Sequence, residues 1–229
     1  MFSLVIFDFD GTLFDTHESI VHSIQLTFKA LSQTVPPSAS ILRYISAGTG
    51  LSDTFRALHP DLTPEEEAKW EAEYRANYAE HGQPLIRAFP GARELLSHLR
   101  EAKIPIAIVS NKGAAAITTA LQNNGLSEFF PADLIVGDKT PGATRKPDLA
   151  SYDKVLVPAL KEQYGITELS PASVLEVGDT IPDIQFAKNI GGKSCWCRFG
   201  YGDKVECEKL QPDYIVDSLL EVIPLVSGP

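Results

Sequence analysis

The first chemistry in this chain is carboxylate chemistry. Asp8-Phe9-Asp10-Gly11-Thr12 sets two acids two residues apart at the end of an apolar run, and Gly178-Asp179-Thr180 with Asp183 sets two more after another such run. Ser110-Asn111 follows a third apolar stretch, and Lys146 stands in Arg145-Lys146-Pro147-Asp148. Acids that a fold gathers in one place repel one another, and an oxygen-only set suits a hard cation such as Mg2+. Phosphoryl transfer asks for a nucleophile, an acid/base, charge neutralisation and positioning. Each has a candidate here. Asp8 attacks without prior deprotonation, and Asp10 can protonate a leaving oxygen and then activate water. Amides around Phe9–Gly11, with the Ser110 hydroxyl, can hold phosphate oxygens, and Gly11, Thr12, Ser110 and Asn111 are the candidate phosphate-binding residues. Lys146 is the best candidate for a balancing cation, with Lys139 and Arg145 as alternatives.

These residues act together only on a scaffold that gathers strand ends. Residues 3–9 form a near-continuous apolar run of the kind a parallel sheet buries on both faces, and Asp10-Gly11 stops it. From about residue 16 to residue 81 the pattern is helical throughout. Ile20, Ile24, Phe28 and Leu31 recur at helical spacing, as do Trp70, Tyr74 and Tyr78, with breaks at Pro36-Pro37, Pro60 and Pro64. Beyond Pro90-Gly91, helices at 92–102, 113–123, 149–164 and 184–189 alternate with strands at 104–109, 134–136, 174–177, 193–197 and 214–216. This predicts an α/β fold: a Rossmann-like, mostly parallel sheet with helices on both faces, built from residues 1–15 and 88–229. Residues 16–87 are expected as an all-helical cap. Ligands of such sheets bind beyond the carboxyl ends of the strands, so an insertion directly after the first strand should lie over the site.

Composition narrows the partners. With 229 residues, 44% hydrophobic and 22% charged, the chain can bury a sizeable core. A formal net charge of −10 argues against nucleic acid, and no run approaches the ~20 apolar residues of a membrane span. Three cysteines, an odd number, fit a reducing compartment, and the apolar start has no basic leader, so a cytoplasmic protein is expected. Cys195, Cys197 and Cys207 read as buried thiols, because no fourth ligand has metal spacing. Trp70, Tyr74 and Tyr78 read as core of the helical block. Arg43, Arg56 and Arg75, with residues 48–51, are candidates for facing the cleft.

Asp-Phe-Asp-Gly-Thr-Leu, Val-Ser-Asn, Lys-Pro-Asp and Gly-Asp-Thr-Ile-Pro-Asp, in that order, resemble the four motifs of the haloacid dehalogenase superfamily. The helical block between the first two motifs is similar to its phosphoglycolate-phosphatase-like branch. The resemblance implies a Mg2+-dependent phosphatase acting on a small phosphorylated metabolite through an aspartyl-phosphate, as monomer or homodimer. It makes Asp8 nucleophile and metal ligand, and Asp10 acid/base with its carbonyl on the metal. Ser110 and Asn111 then contact phosphate or position substrate, Lys146 pairs with Asp8 and phosphate, and Asp179 and Asp183 complete the metal site. Inward-facing Arg43 or Arg56 would favour a second acidic group, as in phosphoglycolate. Inorganic pyrophosphatase and phosphomutase are the alternatives on this fold, and a non-enzymatic regulatory protein is a distant one. A dehalogenase fits poorly, since it normally lacks the second aspartate.

Overall fold

The chain begins with β1 (Leu4–Phe7) and β2 (Phe14–Asp15), and then runs through four helices: α1 (His17–Ala30), α2 (Ser38–Ser46), α3 (Leu51–Leu58) and α4 (Pro64–Asn77). After β3 (Arg87–Ala88), helix and strand alternate: α5 (Ala92–Glu101), β4 (Ile106–Gly113), α6 (Ala114–Asn123), β5 (Ile135–Asp138), α7 (Val157–Tyr164), β6 (Val174–Gly178), α8 (Ile181–Ile190), β7 (Lys193–Cys197), α9 (Lys204–Lys209), β8 (Tyr214–Val216) and α10 (Val222–Ser227). The structure is a computed structural model that describes residues 2–227.

Six strands form one sheet in the order β5-β4-β1-β6-β7-β8, and every neighbouring pair is parallel. A central parallel strand is covered on both faces, which is why β1 is apolar at consecutive positions. Val5 and Phe7 pack on one face with Leu95, Leu99 and Ile117 of α5 and α6. Leu4 and Ile6 pack on the other with Tyr152, Leu160 and Phe186, the last two from α7 and α8. The expected α/β architecture is therefore present, with a six-stranded sheet that is parallel throughout.

Three details differ from expectation. Strand β4 runs to Gly113, with a register shift between Val109 and Gly113, so Ser110 and Asn111 sit in an irregular stretch and not at a clean strand end. The expected helix at 149–164 begins with a π-helical stretch, Ser151–Leu156, before α7. Strands β2 and β3 were not expected. They pair antiparallel, Phe14 with Ala88 and Asp15 with Arg87, and so tie together the two ends of the helical insertion. Helices α1–α4 hold a hydrophobic cluster of their own, with Ile24, Phe28, Ile41, Phe55 and Trp70 buried in it.

Candidate active site

The acids converge at the carboxyl edge of the sheet. Asp8 directly follows β1, and its amide still donates to the Val177 carbonyl at 2.9 Å, so its side chain starts from a fixed point. Asp179 follows β6. Asp183 lies in the first turn of α8, where Thr180 and Asp183 form a capping box. Its Oδ2 accepts from the amides of Thr180 (2.7 Å) and Asp179 (3.1 Å), which leaves Oδ1 free to face the site. Asp8, Asp179 and Asp183 are all buried, and each offers a carboxylate oxygen within 4.8 Å of the others.

One cation answers them. Lys146, only 1% exposed at its side chain, places Nζ 2.6 Å from Asp183, 2.8 Å from Asp8 and 3.5 Å from Glu176. Burial works against its charge, but Asp183, Asp8 and Glu176 outweigh it and hold the ammonium well above the usual lysine range. A single positive charge does not balance the group. Burial pushes the Asp8 carboxyl up to about 6 against the pull of Lys146, with Asp183 adding to the rise. Burial, then repulsion from Asp183 and Asp8, drives Asp179 well above the carboxylate range. Buried Glu176 is raised as well, and its Oε2 has no hydrogen-bond partner. Three converging buried oxygen ligands short of positive charge are a donor set that fits a hard divalent cation.

The other expected site residues divide into two groups. Asp10, Ser110, Asn111 and Lys146 line a cavity of about 740 Å³ that opens beside the acids. Asp10 is held by Lys112, whose Nζ donates to its two oxygens at 2.9 and 3.3 Å. Asn111 accepts from the Lys146 amide at 2.8 Å, so it positions that loop. Gly11 and Thr12, expected at a phosphate, instead lie behind Asp179. The buried Thr12 hydroxyl donates to Asp179 Oδ1 at 3.3 Å, and a Cβ on Gly11 would lie 2.3 Å from Asp179 Oδ2. Lys146, and neither of its alternatives, reaches Asp8. Lys139 pairs with Glu71, and Arg145 lies against Gly50 and pairs with Asp53 at 3.4 Å.

Helices α1–α4 supply much of the remaining cavity wall. Residues 48–51 and Arg75 line it as expected, but Arg43 and Arg56 do not. Arg56 is half-exposed and bound to Asp53 and Glu67. The support those two arginines lent to an acidic substrate is therefore gone. Only Trp70 of the aromatic stripe is confined to the helical core. Tyr74 and Tyr78 line the cavity, with Lys112 Nζ 4.3 Å from the Tyr78 ring centre.

The sequence pattern of the haloacid dehalogenase-like hydrolases matches residues 5–197, the span that carries every one of these acids. The chain belongs to this family. Among curated relatives it is 30% identical to a phosphoglycolate phosphatase of Vibrio cholerae over 234 residues, covering 98% of each chain. It is 27% identical to the pyrophosphatase PpaX of Listeria monocytogenes, covering 97% of this chain and 95% of the relative. A solved haloacid dehalogenase-like hydrolase from Streptococcus pneumoniae superposes with a TM-score of 0.80 at 27% identity, over 98% of both chains.

Sequence reading missed three residues of this hydrolase's site. Lys112 stood next to Asn111, yet its partner Asp10 is 102 residues away. Glu176 carried a visible signal, a lone acid inside the apolar strand Val-Leu-Glu-Val. Tyr201 lies between Gly200 and Gly202. Its amide donates to Asp179 Oδ2 at 2.6 Å, while its hydroxyl accepts from the amides of Thr16 (2.6 Å) and His17 (2.9 Å). The flanking glycines were the available hint, because a Cβ at Gly200 would lie 2.3 Å from Asp179 Cβ. The three cysteines are free and buried, and none belongs to the acidic group. Among the described residues no helix is long and apolar enough to cross a membrane.

Proposed function

We propose that this hydrolase is a Mg2+-dependent phosphatase that cleaves a small phosphomonoester through an aspartyl-phosphate on Asp8. The observation that carries the reading is Asp8 itself, a buried carboxylate that lines a cavity 2.8 Å from Lys146 and offers an oxygen within 4.8 Å of those of two further buried aspartates. An Asp8 oxygen attacks phosphorus as the bond to the leaving oxygen breaks, and Asp10, protonated and released from Lys112 in the complex, gives that oxygen its proton. Asp10 then takes a proton from water, which attacks the same phosphorus. The bond to Asp8 breaks, and phosphate leaves. Lys146 and the Ser110 hydroxyl hold phosphoryl oxygens in place, and Asn111 fixes the loop that presents Lys146. Asp8, Asp179 and Asp183, with the Asp10 carbonyl, would hold Mg2+, which supplies electrostatic stabilisation of the transferring phosphoryl oxygens. Residues 16–87 act as a cap that excludes water and limits the size of the substrate. Phosphoglycolate, named for the Vibrio cholerae relative, is the reference compound.

The test is Asp8→Asn, assayed for phosphate release with Mg2+ on a panel of small phosphates and pyrophosphate. An amide cannot attack, so turnover should vanish while thermal melting stays at or above that of the parent, since one repelling carboxylate is gone. A folded Asp8→Asn protein that keeps substantial activity overturns the covalent mechanism. A clear preference of the parent for pyrophosphate over every monoester overturns the substrate class.

A further inference from the structure

Every cation in the cavity wall is already bound to a carboxylate of the protein. Lys146 is held by Asp183, Asp8 and Glu176, and Lys112 by Asp10. Farther from the acids, Arg75 of α4 and Lys139, which follows β5, both converge on Glu71 of α4, at 2.8 and 3.0 Å, and Arg75 also lies 3.8 Å from Asp138. A substrate carboxylate brought up to Arg75 or Lys139 would therefore meet Glu71 and Asp138 at the same time. The remaining wall facing the site is different in kind. Ile20, Ile24, Ile45, Leu51 and Tyr74 of the helices and Ala115 and Ala116 of α6 line it, with the neutral side chains of Thr54, Gln83 and Thr119 among them. The space of about 740 Å³ is several times what a two-carbon acid fills.

We infer that the substrate's body beyond the phosphate is uncharged and largely apolar, an alkyl or aryl phosphomonoester, and that Glu71 enforces this by holding Arg75 and Lys139. The inference rests on the phosphomonoesterase reading and specifies its substrate class. The phosphate and the metal charge balance the acids at one end of the cavity. At the other end, burying methylene or ring surface against isoleucine and leucine is favourable, whereas a second anion finds only cations that are already neutralised. Glu71 also accepts from the Ser52 hydroxyl at 2.5 Å and so joins α3 to α4. It touches no reacting atom.

The test compares kcat/KM with Mg2+ for propyl phosphate and phosphoglycolate, which are close in size and differ in the terminal charge, and then for ethyl, butyl and benzyl phosphates. Propyl phosphate should be preferred at least about tenfold, with kcat/KM rising about fourfold per added methylene until the cavity is filled. Glu71→Gln keeps the shape and removes the charge. It should move the ratio at least about tenfold toward phosphoglycolate through a lower KM for that compound, while activity on propyl phosphate changes less than about twofold. The parent's substrate series needs no variant and decides by itself. A kcat/KM for phosphoglycolate equal to or above that for propyl phosphate overturns the inference and leaves the phosphatase reading standing. A ratio that Glu71→Gln leaves unchanged overturns the role of Glu71. Release of phosphate from none of the esters overturns the phosphatase reading, and the inference falls with it.

Discussion

Replacing Lys146 with methionine removes the one cation that three buried carboxylates share. Its Nζ lies 2.6 Å from Asp183, 2.8 Å from Asp8 and 3.5 Å from Glu176, and methionine fills a similar volume without charge. Deleting one partner of a buried charge group costs about 3–5 kcal/mol, because the remaining charges lose their compensation. In a chain of this length 1 kcal/mol shifts Tm by about 2–4 °C, so the metal-free variant should melt about 6–20 °C below the parent. The gap should depend on pH. Burial raises Asp8 from 3.8 to about 6 in the folded parent. A carboxyl raised in this way contributes stability that is complete below its unfolded value and is lost as pH rises through the folded one. Both metal-free proteins should therefore lose stability between about pH 4 and pH 6. Above pH 6 both go on losing it, since Asp179 and Glu176 are raised further still, but the variant should lose more, because without Lys146 the Asp8 and Glu176 carboxyls resist ionisation more strongly. The two melting curves should approach each other near pH 5 and stand farthest apart near pH 8. Added Mg2+ should raise both, and the variant more, since the variant's acids have no other cation. Calorimetry with chelator and then with Mg2+, across that pH range, makes the comparison. Metal-free proteins that melt together at pH 8 would refute the claim that Lys146 holds the acidic group in place.

Asp10→Asn should cut the phosphorylation step about 10²–10⁴-fold for alkyl esters and much less for a nitrophenyl ester, whose leaving group needs no proton. Single-turnover assays of the two esters give that contrast, and equal losses would count against an acid role. Gly11 has φ +80° and would place a Cβ 2.3 Å from Asp179 Oδ2, so Gly11→Ala should displace that carboxylate. A Mg2+ titration of activity should show half-saturation at about tenfold higher concentration or more, and an unchanged titration would exclude Asp179 from the metal site. Tyr201→Phe leaves the Thr16 and His17 amides without their shared acceptor. It should cost about 1–3 kcal/mol in denaturant melts, and a loss under about 0.5 kcal/mol would show that water replaces the hydroxyl.

What could be read in the sequence was what depends on local order along the chain. Strands β1 and β6 are legible because a buried parallel strand is a short apolar run with a turn signal after it. The acids are legible because a position just past a strand end is already defined in one dimension. Two-residue strands such as β2 and β3 carry no period at all, and the π-helical stretch at 151–156 has nearly the apolar spacing of an α-helix. The Asp10–Lys112 pair depends on the register shift after Val109, which side-chain types do not announce. Which arginines of the insertion turn inward depends on how α2, α3 and α4 pack together. Arg75 lies on the cavity wall, while Arg56 is held away from it by Asp53 one turn earlier on α3 and by Glu67, which that packing brings from α4. Glu176 is the exception, an acid in the middle of an apolar strand that asked for a buried partner and has one in Lys146.

The short β2–β3 ribbon also bears on how the chain assembles. Strand β1 must find β4, with Val5 opposite Ile106, a partner about 100 residues away. Pairing Asp15 with Arg87 closes off the helical insertion as its own loop and leaves an effective separation of about 30 residues. Loop-closure entropy grows as (3/2)RT ln n, so the shortcut lowers the cost of joining β1 to β4 by about 1 kcal/mol once the ribbon exists. Helices α1–α4 have their own apolar cluster, in which α1 packs against α4, so its formation brings residues 15 and 87 together. A two-residue ribbon thus turns the longest detour in the chain into a folding aid: the helices that interrupt the sheet in sequence also deliver its central strand to its neighbours.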